Sequence, residues 1–139
     1  MGDCYYDGRG VERDLEKAVY WYEKAAEQGL DISQNKLGDC YRMGEGVEKD
    51  PKKAVYWYEK SAEQSECTFA QNNLGDCYRN GEGVEKNLEK AVYWYSIAAK
   101  HGNRKAQSNL GDCYRKGEGV EKDIEKATYW YSKNAPKGN

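Results

Sequence analysis

Along residues 69–78, Ala70, Leu74, Cys77 and Tyr78 are spaced i, i+4, i+7 and i+8, while the polar Asn72, Asn73 and Asp76 lie between them and Phe69 stands outside the series. That spacing keeps the apolar set on one face of a helix, called helix A below. Gly81-Glu82-Gly83-Val84 follows and stops it, because glycine enters the left-handed conformation after a helix end at little steric cost. Asp14, Asp50, Asn87 and Asp123 then stand where N-caps belong, and Pro51 follows its Asp at the tolerated first helical position. A second helix, B, is expected from each cap. Its apolar face is read as Ala54, Trp57, Tyr58, Ser61 and Ala62, and successive copies end near Gly29, Ser65 and Gly102. The predicted unit is an antiparallel helical hairpin.

The hairpin repeats. Gly-Asp-Cys-Tyr begins at Gly2, Gly38, Gly75 and Gly111, a spacing of 36, 37 and 36, and Tyr-Trp-Tyr keeps the same period at Tyr20, Tyr56, Tyr93 and Tyr129. A fixed period of this length marks a solenoid, in which each unit packs mainly on its neighbours. The predicted fold is therefore all-α, an α-solenoid of stacked antiparallel hairpins. Its organisation is a single repeat array over 1–139, divided as a partial repeat 1–29 and repeats 30–65, 66–102 and 103–139. The one extra residue, in Ser65-Glu66-Cys67-Thr68, falls between helices, where insertion is cheapest.

Small residues inside helix A point to how the helices meet. Gly38, Gly75 and Gly111 each cost about 1 kcal/mol relative to Ala in a helix interior. A recurring cost implies a recurring close approach, with a Trp or Tyr ring of helix B laid over the bare backbone. Each buried ring removes about 150–250 Å² from water, several kcal/mol gross at about 25 cal/mol per Å². With thirteen Tyr and four Trp against one Phe, aromatics carry this core. On this reading Trp57→Ala or Trp94→Ala costs about 3–5 kcal/mol.

The pattern Ala-x3-Leu-Gly-x2-Tyr-x2-Gly-x-Gly-Val-x2-Asp/Asn-x2-Lys-Ala-x2-Trp-Tyr-x3-Ala resembles the Sel-one-like repeat, a longer relative of the tetratricopeptide repeat. Residues 70–99 and 106–135 supply it almost throughout; Ser33, Ser61, Thr128 and Asn134 are local departures. The resemblance implies a tetratricopeptide-like superhelix and a protein-interaction role, as adaptor or scaffold. Some cysteine-rich members of the family are associated with β-lactam binding or hydrolysis, and they carry a second cysteine per hairpin, which this chain lacks.

Charge and cysteine usage narrow the remaining classes. The 22 basic and 24 acidic residues nearly cancel and no Lys/Arg block occurs, so a nucleic-acid partner is not expected. Neither an apolar run of about 20 residues nor a leader-like start is present, which points to no membrane insertion and a cytoplasmic chain. Cys4, Cys40, Cys77 and Cys113 come once per unit on the buried face of helix A. Equivalent sites in stacked hairpins lie about 10 Å apart, beyond the ~7 Å reach of a disulfide. They read as small buried apolar residues, and Cys67 as an inert, exposed loop residue. His101 is the lone histidine, placed at a helix end where it meets the helix dipole favourably. No catalytic, metal or cofactor residues are assigned; an active site is normally built once, and everything here recurs.

The functional expectation is a groove lined by helix A. In the third unit Phe69, Asn72, Asp76 and Arg79 gather within an arc of about 80° at 100° per residue. Their equivalents are Ile32, Asn35, Asp39 and Arg42, then Lys105, Ser108, Asp112 and Arg115. The resemblance implies that the asparagine holds peptide backbone; Asn35 and Asn72 fit and Ser108 departs. Ile32 and Phe69 offer an apolar anchor. The same Asp and Arg residues are also i, i+3 pairs that stabilise a helix whatever binds nearby. The expected function is a scaffold binding an extended peptide or partner helix, with a structural spacer or a fragment of a larger protein as the alternative. The incomplete first helix A, from Gly2 to Asp7, and the missing polar cap after the last helix predict a segment of a longer array or end-to-end self-association.

Overall fold

The computed structural model describes residues 12–64 and 67–134 of the 139, and all seven helices in it are α. They are α1 (Glu12–Glu27), α2 (Asp31–Met43), α3 (Pro51–Ala62), α4 (Thr68–Asn80), α5 (Leu88–Lys100), α6 (Arg104–Lys116) and α7 (Ile124–Asn134). α2, α4 and α6 are A helices, the others B helices, so the fold is the all-α helical repeat that the periodicity predicts. The chain divides into two compact units, Met1–Ala70 and Gln71–Asn139. The first helix A with Cys4, the Ser65-Glu66 insertion and the terminal Pro136-Lys137-Gly138-Asn139 lie outside the described residues.

In the first unit, α2 packs on both α1 and α3. Leu37, Cys40 and Tyr41 of α2 are buried, as are Ala54, Val55, Tyr58, Ser61 and Ala62 of α3. Between these helices Gly44 takes the left-handed conformation and its N–H closes on the Cys40 carbonyl at 2.8 Å. The Asp50 N–H then reaches the Tyr41 carbonyl at 2.8 Å, while the Asp50 carboxylate accepts from the Lys53 N–H at 3.3 Å. One residue thus closes the turn and caps the next helix. Gly46, also at positive φ, lies so near α1 that a Cβ there would come within 2.5 Å of the Leu15 carbonyl oxygen.

The second unit repeats this construction. Gly81 and Gly117 end α4 and α6 in the left-handed conformation, and Asn87 and Asp123 cap α5 and α7 through the Lys90 and Lys126 N–H groups. A Cβ on Gly119 would land on the Leu88 carbonyl oxygen, the counterpart of the Gly46 approach. The core here is Leu74, Cys77, Ala91, Val92, Tyr95, Ala98, Ala99, Ala106, Leu110, Cys113 and Ala127.

Three expectations need correction. The predicted face of helix B contained Trp57, but the buried stripe takes Val55 instead and Trp57 is half-buried. At 100° per residue, Trp57 lies about 85° from the centre of a face set by Ala54, Tyr58, Ser61 and Ala62, with Val55 about 75° away on the other side, and the Trp57 ring edge meets Tyr56 at the rim. Asp14 was placed as an N-cap, whereas α1 already begins at Glu12; an acidic residue suits a first helical turn as well as a cap. Cys67 was read as exposed, but it is 4% accessible, because its N–H folds back onto the Gln64 carbonyl at 3.2 Å and tucks the loop against the hairpin.

Candidate interaction face on the A helices

The inner contact of each hairpin is a tyrosine on a glycine. A Cβ at Gly38 would stand 2.7 Å from the Tyr58 ring, one at Gly75 2.6 Å from Tyr95, and one at Gly111 2.7 Å from Tyr131. The ring over the bare backbone is therefore the second tyrosine of Tyr-Trp-Tyr, and Tyr58 and Tyr95 are wholly buried. Burial of that ring delivers its hydroxyl to the next residue of helix A: Tyr58 donates to Asp39, Tyr95 to Asp76 and Tyr131 to Asp112. An arginine one turn on stands beside each set. Arg115 Nε donates to the Tyr131 hydroxyl at 3.1 Å, and Arg42 and Arg79 lie close enough to Tyr58 and Tyr95 to interact with their hydroxyls.

The three sets carry different electrostatics. Burial pushes the Asp39 carboxyl above its ordinary range, against the Tyr58 hydrogen bond and the charges of Lys36 and Arg42, which favour the ionised form. Desolvation and the neighbouring carboxylates push the Tyr58 and Tyr95 phenols far up, so they stay protonated donors. The Cys40 thiol is pushed up to about 12 and Cys113 to about 11, again chiefly by burial, which suits their packing role. His101 Nδ1 lies 2.8 Å from the Ile97 carbonyl, a contact in which the ring must donate, and so closes the end of α5.

The sequence-predicted positions are distributed as follows. In the first unit Ile32 is exposed, Asn35 is buried, and Asp39 and Arg42 belong to the Tyr58 set. Phe69 is 66% exposed at the start of α4. Asn72, only 3% exposed, accepts from Asn109 Nδ2 at 2.9 Å, and this bond joins α4 to α6. Arg79 reaches from α4 to Glu118 at 2.9 Å, a cross-hairpin ion pair in place of the expected i, i+3 pairing with Asp76. Asp112 and Arg115 do make their i, i+3 contact, at 3.7 Å. Lys105 and Ser108 come together with Asn72 and Asp76 around one open depression, to which Arg104 and Asn109 also contribute.

Arg104, Asn109 and Glu118 were not foreseen. Arg104 and Asn109 lie just outside the arc assigned to the groove, and Glu118 sits in the turn that reads only as a helix stop. The signal available was register: repeats 2 and 3 carry Asp31-Ile32 and Thr68-Phe69 where repeat 4 carries Arg104-Lys105.

Comparisons with known proteins agree with this architecture. The family profile described as Sel1 repeat matches four times, at residues 1–30, 31–66, 68–103 and 104–138. Among solved structures, c5321, a protective antigen of uropathogenic Escherichia coli with an SLR fold, superposes with a TM-score of 0.89 at 40% identity, over 96% of this chain and 28% of its own. A Sel1 repeat protein from Oxalobacter formigenes gives 0.87 at 38% identity, over 99% and 56%. Cysteine-rich protein B of Helicobacter pylori gives 0.68 at 29% identity, over 91% and 90%. The chain thus spans about a quarter to a half of the length of the first two. A search of curated protein sequences finds no significant match. Among the described residues no helix is long and apolar enough to cross a membrane. Four tandem matches covering almost every residue, on hairpins closed by tyrosine over glycine, establish that this chain belongs to the Sel1 repeat family.

Proposed function

We propose that the chain is a protein-interaction scaffold that receives an extended peptide segment on the polar face of its A helices. The observation that carries this reading is the Asn72–Asn109 bond across α4 and α6. It fixes two side-chain amides between adjacent A helices, and an amide offers both the donor and the acceptor that an extended backbone requires. Asn72 is held in place by burial, so little side-chain entropy is lost when it engages a ligand. The Tyr–Asp–Arg sets support the same face from beneath, since each fixes an aspartate and an arginine that would otherwise sample many rotamers. Within the first unit, Ile32 and Phe69 are exposed at the starts of their helices and supply apolar contact there.

A second reading places the partner on the B helices. Tyr20, Tyr56, Tyr93 and Tyr129 are each 51–59% exposed at the same position of successive hairpins. Lys24, Lys60 and Lys133 lie 5.1–5.4 Å from the centroids of Tyr20, Tyr56 and Tyr129, a cation–π contact that already occupies those rings. The A face is therefore preferred. A spacer, or part of a longer protein whose activity resides elsewhere, is the reading that predicts no partner on either face.

Affinity capture from the native source, with the chain and with an Asn35→Ala/Asn72→Ala/Arg79→Ala variant of unchanged helicity, tests the choice. Partners lost from the variant support the A face. Equal recovery refutes it and moves binding to the B helices.

A further inference from the structure

Two corners of the fold share one backbone form and carry opposite charge. Where α1 passes into α2, Gly29 takes a positive φ, its N–H meets the Ala26 carbonyl at 2.9 Å, and the Leu30 N–H meets that of Ala25 at 3.3 Å. Where α5 passes into α6, Gly102 does the same, with its N–H on the Ala99 carbonyl at 3.1 Å and the Asn103 N–H on that of Ala98 at 3.0 Å. On this second corner Asn103 is buried, and its side chain accepts from the Ala106 N–H at 2.8 Å to cap α6. On the first corner Leu30 holds the same position, makes no cap bond and is 55% exposed. A leucine there both forgoes the cap and leaves its side chain in water, each of which is destabilising. Glu27 and Asp31 flank it, and Gln64, whose Nε2 donates to the Gly29 carbonyl at 3.0 Å, sets its exposed neighbour Glu63 at the same corner. At the matching positions of the other corner, Lys100 stands for Glu27, Arg104 for Asp31 and Lys105 for Ile32. Arg104 is already engaged within the chain, while Lys100 and Lys105 are exposed. The contrast extends to the two compact units, since residues 1–70 hold 15 acidic and 10 basic residues and residues 71–139 hold 9 and 12.

We propose that the chain associates with a second copy of itself, the Leu30 corner of one copy receiving the Lys100 and Lys105 corner of the other. Charge complementarity selects this occupant, because the acidic rim around Leu30 finds its match in a basic corner of the same chain. The aliphatic stems of Lys100 and Lys105 cover Leu30 while their ammonium groups meet Glu27 and Glu63. The contact also gives the missing cap a reason, since local rules are broken where a site requires it. Each copy contributes a different corner, so the contact is heterologous. It is smaller than the roughly 1,200–2,000 Å² of stable interfaces, and the association is accordingly weak and salt-sensitive. This inference stands whether or not a peptide engages the A helices.

Sedimentation velocity of the full chain, up to millimolar concentration and at low and high salt, provides the test. The weight-average sedimentation coefficient should rise with concentration at roughly 20 mM salt and stay flat at roughly 500 mM. Lys100→Glu/Lys105→Glu reverses the basic corner, and Glu27→Lys/Glu63→Lys reverses the acidic rim. Either variant alone should raise the Kd of self-association about fivefold or more. An equimolar mixture of the two should restore association, because each then offers the corner that the other lacks, and recovery also shows that both variants fold. Leu30→Asn supplies the missing cap, so it should raise Tm by about 2–4 °C while weakening self-association. A chain that stays monomeric at every concentration overturns the proposal, as does association that persists undiminished in each charge variant alone. A mixture that fails to associate overturns it too, and so does a Leu30→Asn chain that gains stability with its self-association unchanged.

Discussion

Tyr58 and Tyr95 do more than fill space, because each covers a glycine with its ring and orders an aspartate with its hydroxyl. Removing such a ring leaves a cavity and takes one hydrogen-bond donor from a carboxylate, so Tyr58→Ala should lower unfolding free energy by about 3–5 kcal/mol. Trp57, half-buried at the rim, should cost less than about 2 kcal/mol when replaced by Ala, the reverse of the order expected from ring size. Urea titrations of the two variants check both values. Asp39 offers a second test. Its folded pKa is raised above the ordinary 3.8, so its proton-linked contribution is fully present below that value and is lost as pH rises through the folded pKa. Asp39→Asn abolishes this dependence. Relative to the unsubstituted chain, the variant should therefore fare better at about pH 7 than at about pH 3. A difference that is the same at both values would show that the carboxyl does not titrate abnormally.

Each hairpin depends on how closely its two helices approach. Gly75→Ala gains up to about 1 kcal/mol of helix propensity, yet its Cβ would lie 2.6 Å from the Tyr95 ring, an overpacking of about 1–3 kcal/mol. The ring is buried and tied to Asp76, so it has nowhere to move, and the substitution should destabilise by about 1–2 kcal/mol in thermal or denaturant unfolding. A neutral or stabilising outcome would mean that helix B can retreat. At this scale the sequence was a good guide. Helix boundaries, turn glycines and the caps at Asp50, Asn87 and Asp123 follow from local chemistry, and local chemistry is what a single chain displays. Trp57 was misassigned because Val55 and Trp57 flank the face on opposite sides, and ring size was taken as a proxy for depth. Cys67 was misassigned because loop residues are exposed by default, and only a tertiary contact buries this one.

At the scale of the whole molecule, repetition builds the surface and departures from it create specificity. That the asparagines and aspartates of the A helices share one arc was legible in the sequence, although Asn35 and Asn72 are buried there and not open to solvent. What they face was not, because the Asn72–Asn109 bond and the Arg79–Glu118 pair join residues 37 and 39 apart in sequence. Such pairings require the spacing between hairpins, which periodicity implies only on average. The depression likewise depends on three changes in one repeat, Arg104, Lys105 and Ser108, each unremarkable alone. The central claim is that a partner lies on the A helices, and site-specific photo-crosslinking tests it most directly. A benzophenone side chain is placed at exposed Lys105 on the A face or at exposed Tyr93 on the B face, and the full chain is irradiated with its captured partner. Adducts from position 105 and none from position 93 are the predicted result; adducts from position 93 alone would contradict it.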